Sequence, residues 1–177
     1  MGISYKNLDG ECRQFMLEEL SRDISGGILY ISPRLNEIGL ENWKVVLEEA
    51  IQNHDDVWLE NKLRTENYIK DQEQRRKPTG GFTIAKVPVT APEMLAEGEF
   101  NRFYARGLCL KAIKNNIPEV VIYRGKEVRQ PRPESQAMIG KRINASALLD
   151  DLRKSQGVEP ALGLPPGPNS GITVCLP

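Results

Sequence analysis

At 177 residues, with 40% apolar and 27% charged side chains, the chain suits one domain, or one domain with long extensions. Three widely spaced cysteines, Cys12, Cys109 and Cys175, argue against a disulfide framework and against paired-cysteine metal ligation, and they suit a reducing compartment. No basic stretch leading into an apolar run opens the chain, and no window approaches the ~18 apolar residues of a membrane span, so a soluble protein is expected.

Residues 10–25 read as a helix. Asp9 can cap it, Met16, Leu20 and Ile24 form an apolar stripe, and Gly26-Gly27 supplies the stop. Ile28-Leu-Tyr-Ile31 before Ser32-Pro33 reads as an extended segment or edge strand. Residues 40–53 give the clearest helix: Trp43, Val46, Leu47, Ala50 and Ile51 fall on one face at i, i+3, i+4, i+7 and i+8. Asp55 caps a second helix over about 56–68, with Trp58, Leu59 and Leu63 inward. The charged stretch 65–81, ending in Pro78-Thr-Gly-Gly81, reads as a helix fraying into a flexible loop.

Phe82–Val89 is β-prone but contains Pro88, which suits an edge or extended segment. Thr90-Ala-Pro-Glu93 has the form of a capping box opening a long helix over 91–115. Gly98 and Gly107 would each cost that helix about 1 kcal/mol relative to alanine, so each is expected where a neighbouring backbone comes close. Val120-Val-Ile-Tyr123 is the best strand. Gln130-Pro-Arg-Pro133 reads as non-helical, and Asn144 caps a last helix over 145–156 that Gly157 would close.

Residues 157–177 hold Pro160, Pro165, Pro166, Pro168 and Pro177 among four glycines, a composition that favours extended backbone. Leu162, Leu164, Ile172, Val174 and Leu176 recur at about every second position, so the segment reads as an arm able to add a strand to a partner's sheet edge, or to pack back on its own domain. The expected partner-binding residues are Leu162, Leu164, Pro165, Pro166, Pro168, Ile172, Val174 and Leu176. The reading is therefore an α+β, predominantly α-helical fold in three regions: 1–75 helical, 76–156 helical with minor strands, and 157–177 an extended arm.

The motifs of catalysis are missing. A triad would have to use His54, the single histidine, which sits at a helix end beside Asp55 and reads as a cap. No G-x-G-x-x-G and no Walker sequence occurs. Adjacent carboxylates at Asp55-Asp56 and Asp150-Asp151 point about 100° apart on a helix, which suits no two-carboxylate site. Glu60-Asn61-Lys62 matches a nuclease tripeptide but falls on a helix. No catalytic residue, metal ligand or cofactor is expected.

Arg75, Arg76 and Lys77 form the only basic run, and Arg102 and Arg106 lie four apart on one helix. These five could meet phosphate or an acidic protein surface. Charge along the chain is also divided: residues 1–73 carry 15 acidic and 8 basic side chains, a net −7, and residues 74–177 carry 9 and 16, a net +7. Opposite ends that attract between copies would favour a head-to-tail ring.

Four segments, Glu97–Cys109, Val121–Lys126, Pro131–Ser135 and Leu164-Pro-Pro-Gly-Pro-Asn-Ser-Gly171, resemble a family of proteins encoded by tailed phages and prophages. The resemblance runs from the first helix to the C-terminus and implies a virion setting in the head or neck region, assembled in the host cytoplasm. It brings no catalytic motif and no functional residue. The expectation is a non-enzymatic assembly protein, a head–tail adaptor or connector-ring subunit docking on the portal. The alternatives are a capsid decoration protein, and a nucleic-acid-binding protein or nuclease.

Overall fold

A computed structural model describes residues 2–155 and 170–177. Among them the fold is α+β and mostly helical. The elements in chain order are α1 (Gly10–Ser25), α2 (Glu37–Asn53), α3 (Asp56–Thr65), β1 (Gln72–Arg76), β2 (Phe82–Lys86), α4 (Ala91–Lys114), β3 (Glu119–Arg124), α5 (Pro133–Met138), β4 (Arg142–Asn144), α6 (Ala145–Lys154) and β5 (Ile172–Cys175). Strands β1 and β2 form an antiparallel hairpin, and β4-β3-β5 form a separate antiparallel sheet.

Helix starts follow their caps. The Asp9, Asp55 and Asn144 carboxyl or amide oxygens accept from the N–H groups of Cys12, Trp58 and Ala147, each at 2.9 Å, satisfying donors that the first turn leaves open. Asn36 does the same for Gly39 at 2.8 Å, which starts α2 three residues earlier than the apolar periodicity indicates. The expected box at Thr90 does not form: the Glu93 carboxylate accepts instead from the Lys126 ammonium at 2.8 Å, a stronger charged partner than a backbone N–H. Pro133, expected outside any helix, opens α5, because proline fits the first helical position, where no N–H is needed. Ile28–Ile31 joins no strand. The Tyr30 carbonyl there accepts from the Trp43 indole N–H at 3.0 Å. Helix α3 ends at Thr65 and α6 at Lys154, short of the expected 68 and 156; Gly157 lies outside the described residues.

Helix α4 is the central element and is buried on nearly every side, its charged residues Glu97, Arg106 and Lys111 being held in ion pairs. It packs against α1, α3, α6 and β5. Gly107 explains how closely α1 approaches: a Cβ there would lie 2.6 Å from Met16 Cγ and 2.8 Å from the Met16 nitrogen. Gly98 has open space around it, so the expected close contact exists at Gly107 alone. One core runs from Cys12 and Met16 through Trp43, Leu59, Phe100 and Leu108 to Leu149, Ile172 and Val174. The 75/76 division falls inside β1, and this core draws on both sides of it.

The C-terminal strand departs most from expectation. Ile172–Cys175 pairs with Tyr123 and its neighbours on β3, and all four residues are buried. Thr173 Oγ1 donates to Asn101 Oδ1 at 2.6 Å, and Asn101 Nδ2 donates to the Ile172 carbonyl at 2.9 Å. Ile172 and Val174 therefore complete their own core, and half-buried Leu176 packs at its margin; they are not a docking set for a partner. The strand finds its edge within its own chain because β3 is already held there by α4 and β4. Leu162, Leu164, Pro165, Pro166 and Pro168 lie outside the described residues.

Candidate docking surface

The five basic candidates end in different places. Arg106 is fully buried: its guanidinium meets Asp23 at 2.6 and 2.8 Å and Glu19 at 2.7 Å, so it contacts neither phosphate nor another subunit. Arg102 is almost buried and leans toward Glu99 at 3.5 Å. Lys111, next along that helix, pairs with Asp9. The supposed basic stripe is thus an interior seam between α4 and α1. This also redirects the charge division. Acidic Asp9, Glu19 and Asp23 come from the first half, and Lys111, Arg106 and Arg153 from the second, so much of the −7/+7 attraction is satisfied inside one molecule.

The run Arg75-Arg76-Lys77 is not a frayed loop. It lies on β1 and enters the turn of the hairpin. Positive-φ residues Gly80 and Gly81 make that turn possible, and the Lys77 N–H donates to the Gly81 carbonyl at 3.0 Å. Strand alternation then separates neighbours. Glu73 faces Ala85 and Arg75 faces Thr83 on one side of the ribbon; Gln72, Gln74 and Arg76 face Lys86, Ile84 and Phe82 on the other. The first side turns toward the body. Glu73 there accepts from Arg34 at 2.6 and 3.2 Å and from Arg75 at 2.8 Å. The hydrogen bonds hold the carboxyl of Glu73 below its ordinary range.

The second side turns outward and is uncovered. Phe82 is 69% exposed and Ile84 68%. Burying such side chains stabilises by roughly 1.5–3 kcal/mol each, and here that stabilisation is not taken. A lone two-stranded ribbon is marginal in water, so its hold on the body matters. The Lys70 N–H donates to the Arg34 carbonyl at 2.9 Å, the Asn36 N–H to the Tyr68 carbonyl at 2.9 Å, and Leu35 bridges Ile69. An open cleft of about 600 Å³ lies at the hairpin base, between Leu63, Arg64, Lys70, Lys86 and Val89.

No family model, no curated protein and no solved structure matches the chain.

The three thiols lie inside. Cys12, Cys109 and Cys175 are buried free thiols, and burial pushes Cys12 up to about 12, far from a reactive thiolate. The His54 ring stacks on Trp58 with centroids 4.2 Å apart. Among the described residues no group of three or more His, Cys, Asp or Glu side chains is placed to hold a metal ion, and no helix is long and apolar enough to cross a membrane.

One buried carboxyl has a testable pH signature. Asp56 Oδ2 accepts from the Ile3 N–H at 3.0 Å, while Oδ1 has no partner. Burial raises its pKa to about 6; the Ile3 bond opposes the rise and the charges of Asp55 and Glu97 add to it. A carboxyl raised on folding contributes stability below its unfolded value of 3.8 and loses it as pH climbs through about 6. Asp56→Asn should therefore stabilise the protein above pH 7. The gain is about 3 kcal/mol from the shift, less up to about 1 kcal/mol for the charge lost at the start of α3. Calorimetry at pH 8 and pH 4.5 checks this: the advantage in Tm should shrink or vanish at the lower pH, and an equal advantage at both would refute it.

Proposed function

We propose that this chain is a non-enzymatic assembly protein of a tailed-phage virion, a head–tail adaptor or connector-ring subunit, and that it docks through the hairpin 72–86. The observation that carries the docking role is the outward ribbon face, with Phe82 and Ile84 exposed beside Arg76 and Lys86 on a base tied to the body. Apolar residues ringed by cations suit a protein surface that is apolar at its centre and acidic at its rim. The phage setting comes from the resemblance of the four segments. The hairpin takes over the docking role expected of Ile172, Val174 and Leu176, which serve the fold.

Recruitment of the protein into particles tests this. The double substitution Phe82→Ser/Ile84→Ser should leave stability within about 0.5 kcal/mol of wild type, since both side chains are exposed. It should nevertheless remove the protein from purified virions, as read by quantitative mass spectrometry. A copy number matching one ring supports the connector reading. One that scales with the shell lattice would favour decoration instead. Full incorporation of the double variant would refute the hairpin's role.

A further inference from the structure

We infer that the outward face of the hairpin docks on the outer face of α2 in a second copy of this chain, giving a head-to-tail contact; this rests on reading the chain as an assembly subunit. The outer face of α2 is the complement of the ribbon face. Glu37, Glu41 and Glu48 recur at helical spacing along it, all exposed, with Lys44 as the one cation among them. Beside this acidic ridge run Ile38, 56% exposed, and Val45, 66% exposed. These two are about 10 Å apart along the helix axis, and Phe82 and Ile84 are about 7 Å apart along their strand. Both apolar rows are short enough to overlap while Arg76 and Lys86 reach Glu41 and Glu48.

Among the described residues both faces are open, so neither covers the other. They lie on different elements, so a contact made once between two copies leaves one ribbon and one α2 face free to bind further copies, whereas one made reciprocally about a two-fold axis closes as a dimer. The unreciprocated, head-to-tail contact closes into a ring or extends as a filament according to the rotation between neighbours. A nucleic-acid partner suits the ribbon less well. Its centre is apolar rather than cationic, Arg75 is drawn to Glu73 on the opposite side, and the whole chain has zero net charge. The charge division read from the sequence thus survives in reduced form, as two surface patches rather than two halves.

Sedimentation velocity of the full chain over a concentration series, at low and high salt, tests the contact with two charge-reversed variants. Arg76→Glu/Lys86→Glu makes the ribbon acidic, and Glu41→Arg/Glu48→Arg makes α2 basic. Wild type should self-associate with concentration, and more weakly at high salt. Each variant alone should weaken by about tenfold or more, the factor that 1.4 kcal/mol represents. An equimolar mixture of the two should regain association, because each altered face then meets an altered complement, and this also shows that both variants are folded. Wild type that stays monomeric, single variants that associate like wild type, or a mixture that stays apart would each overturn the inference. So would a monomer that binds duplex DNA through Arg76 and Lys86. None of these outcomes touches virion recruitment, which is read separately from particle composition.

Discussion

A chain truncated after Ser170 is expected to lose its cooperative thermal transition, because the truncation removes β5 from the middle of the packing. Ile172 and Val174 are buried against α4 and β3. At roughly 1.5–3 kcal/mol each, their burial alone amounts to about 3–6 kcal/mol. Truncation also strips β3 of the partner that pairs with Val121 through Arg124, and leaves the Asn101 amide without Thr173 and the Ile172 carbonyl in a buried position. Against a total stability of about 5–15 kcal/mol, that is most or all of the margin. Far-UV circular dichroism during heating measures it. A truncated chain that melts cooperatively within a few degrees of the full one would show that β5 is dispensable.

Replacing Arg106 by methionine should be the most damaging single substitution. Its guanidinium is fully buried and meets two carboxylates, Asp23 through a two-pronged contact and Glu19 through Nε. Glu19 keeps a second partner in Arg153, whose Nε lies 3.0 Å away, and Asp23 loses its two-pronged contact with Arg106. Breaking a buried pair on one side typically costs 3–5 kcal/mol, so Tm should fall by roughly 6–20 °C. Arg106→Lys should recover little, because an ammonium cannot reproduce the planar fork. Replacing Glu19, Asp23 and Arg106 together by apolar residues of similar size should restore part of the loss, since the fully buried charges go together, while half-buried Arg153 is left without Glu19. A Tm for Arg106→Met within two or three degrees of wild type would sink this account.

The same network weakens in acid. Burial pushes the Glu19 carboxyl up, but hydrogen bonds from Arg153 and Arg106 outweigh it and hold the carboxyl below its ordinary 4.5. A carboxyl lowered on folding contributes stability above its unfolded pKa and loses it as pH falls through the folded one. Glu19 therefore destabilises the protein on acidification below about pH 4.5, the opposite sense to Asp56, which favours the folded state as pH drops through about 6.

What could be read in advance was local. Asp9, Asp55 and Asn144 mark helix starts because a cap acts on N–H groups two or three residues away. The stripe Trp43, Val46, Leu47, Ala50 and Ile51 marks a buried face because helical periodicity is written in neighbouring positions, and all five are buried. Gly98 and Gly107 both stood out because a glycine inside a good helix needs a packing reason; Met16 supplies it at Gly107, and nothing does at Gly98.

The misreadings at Arg106 and Thr90 share one cause: the deciding partner was far away in sequence. Arg106 looked like a surface cation until Glu19 and Asp23, more than 80 positions earlier, neutralised it in the core. The Thr90 box was plausible locally but lost Glu93 to Lys126. Gln72–Arg76 carries too much charge to announce a strand. It becomes one because the Gly80-Gly81 turn folds Phe82–Lys86 back onto it, and because Arg34 and Arg75 neutralise Glu73 on the inner side. By itself the sequence determined the helical body and its caps, since those depend on spacing of a few residues. Only the tertiary structure decided that the C-terminal strand is core rather than arm and that a charged hairpin is the exposed docking element, because strand pairing and buried ion pairs join positions that no local pattern connects.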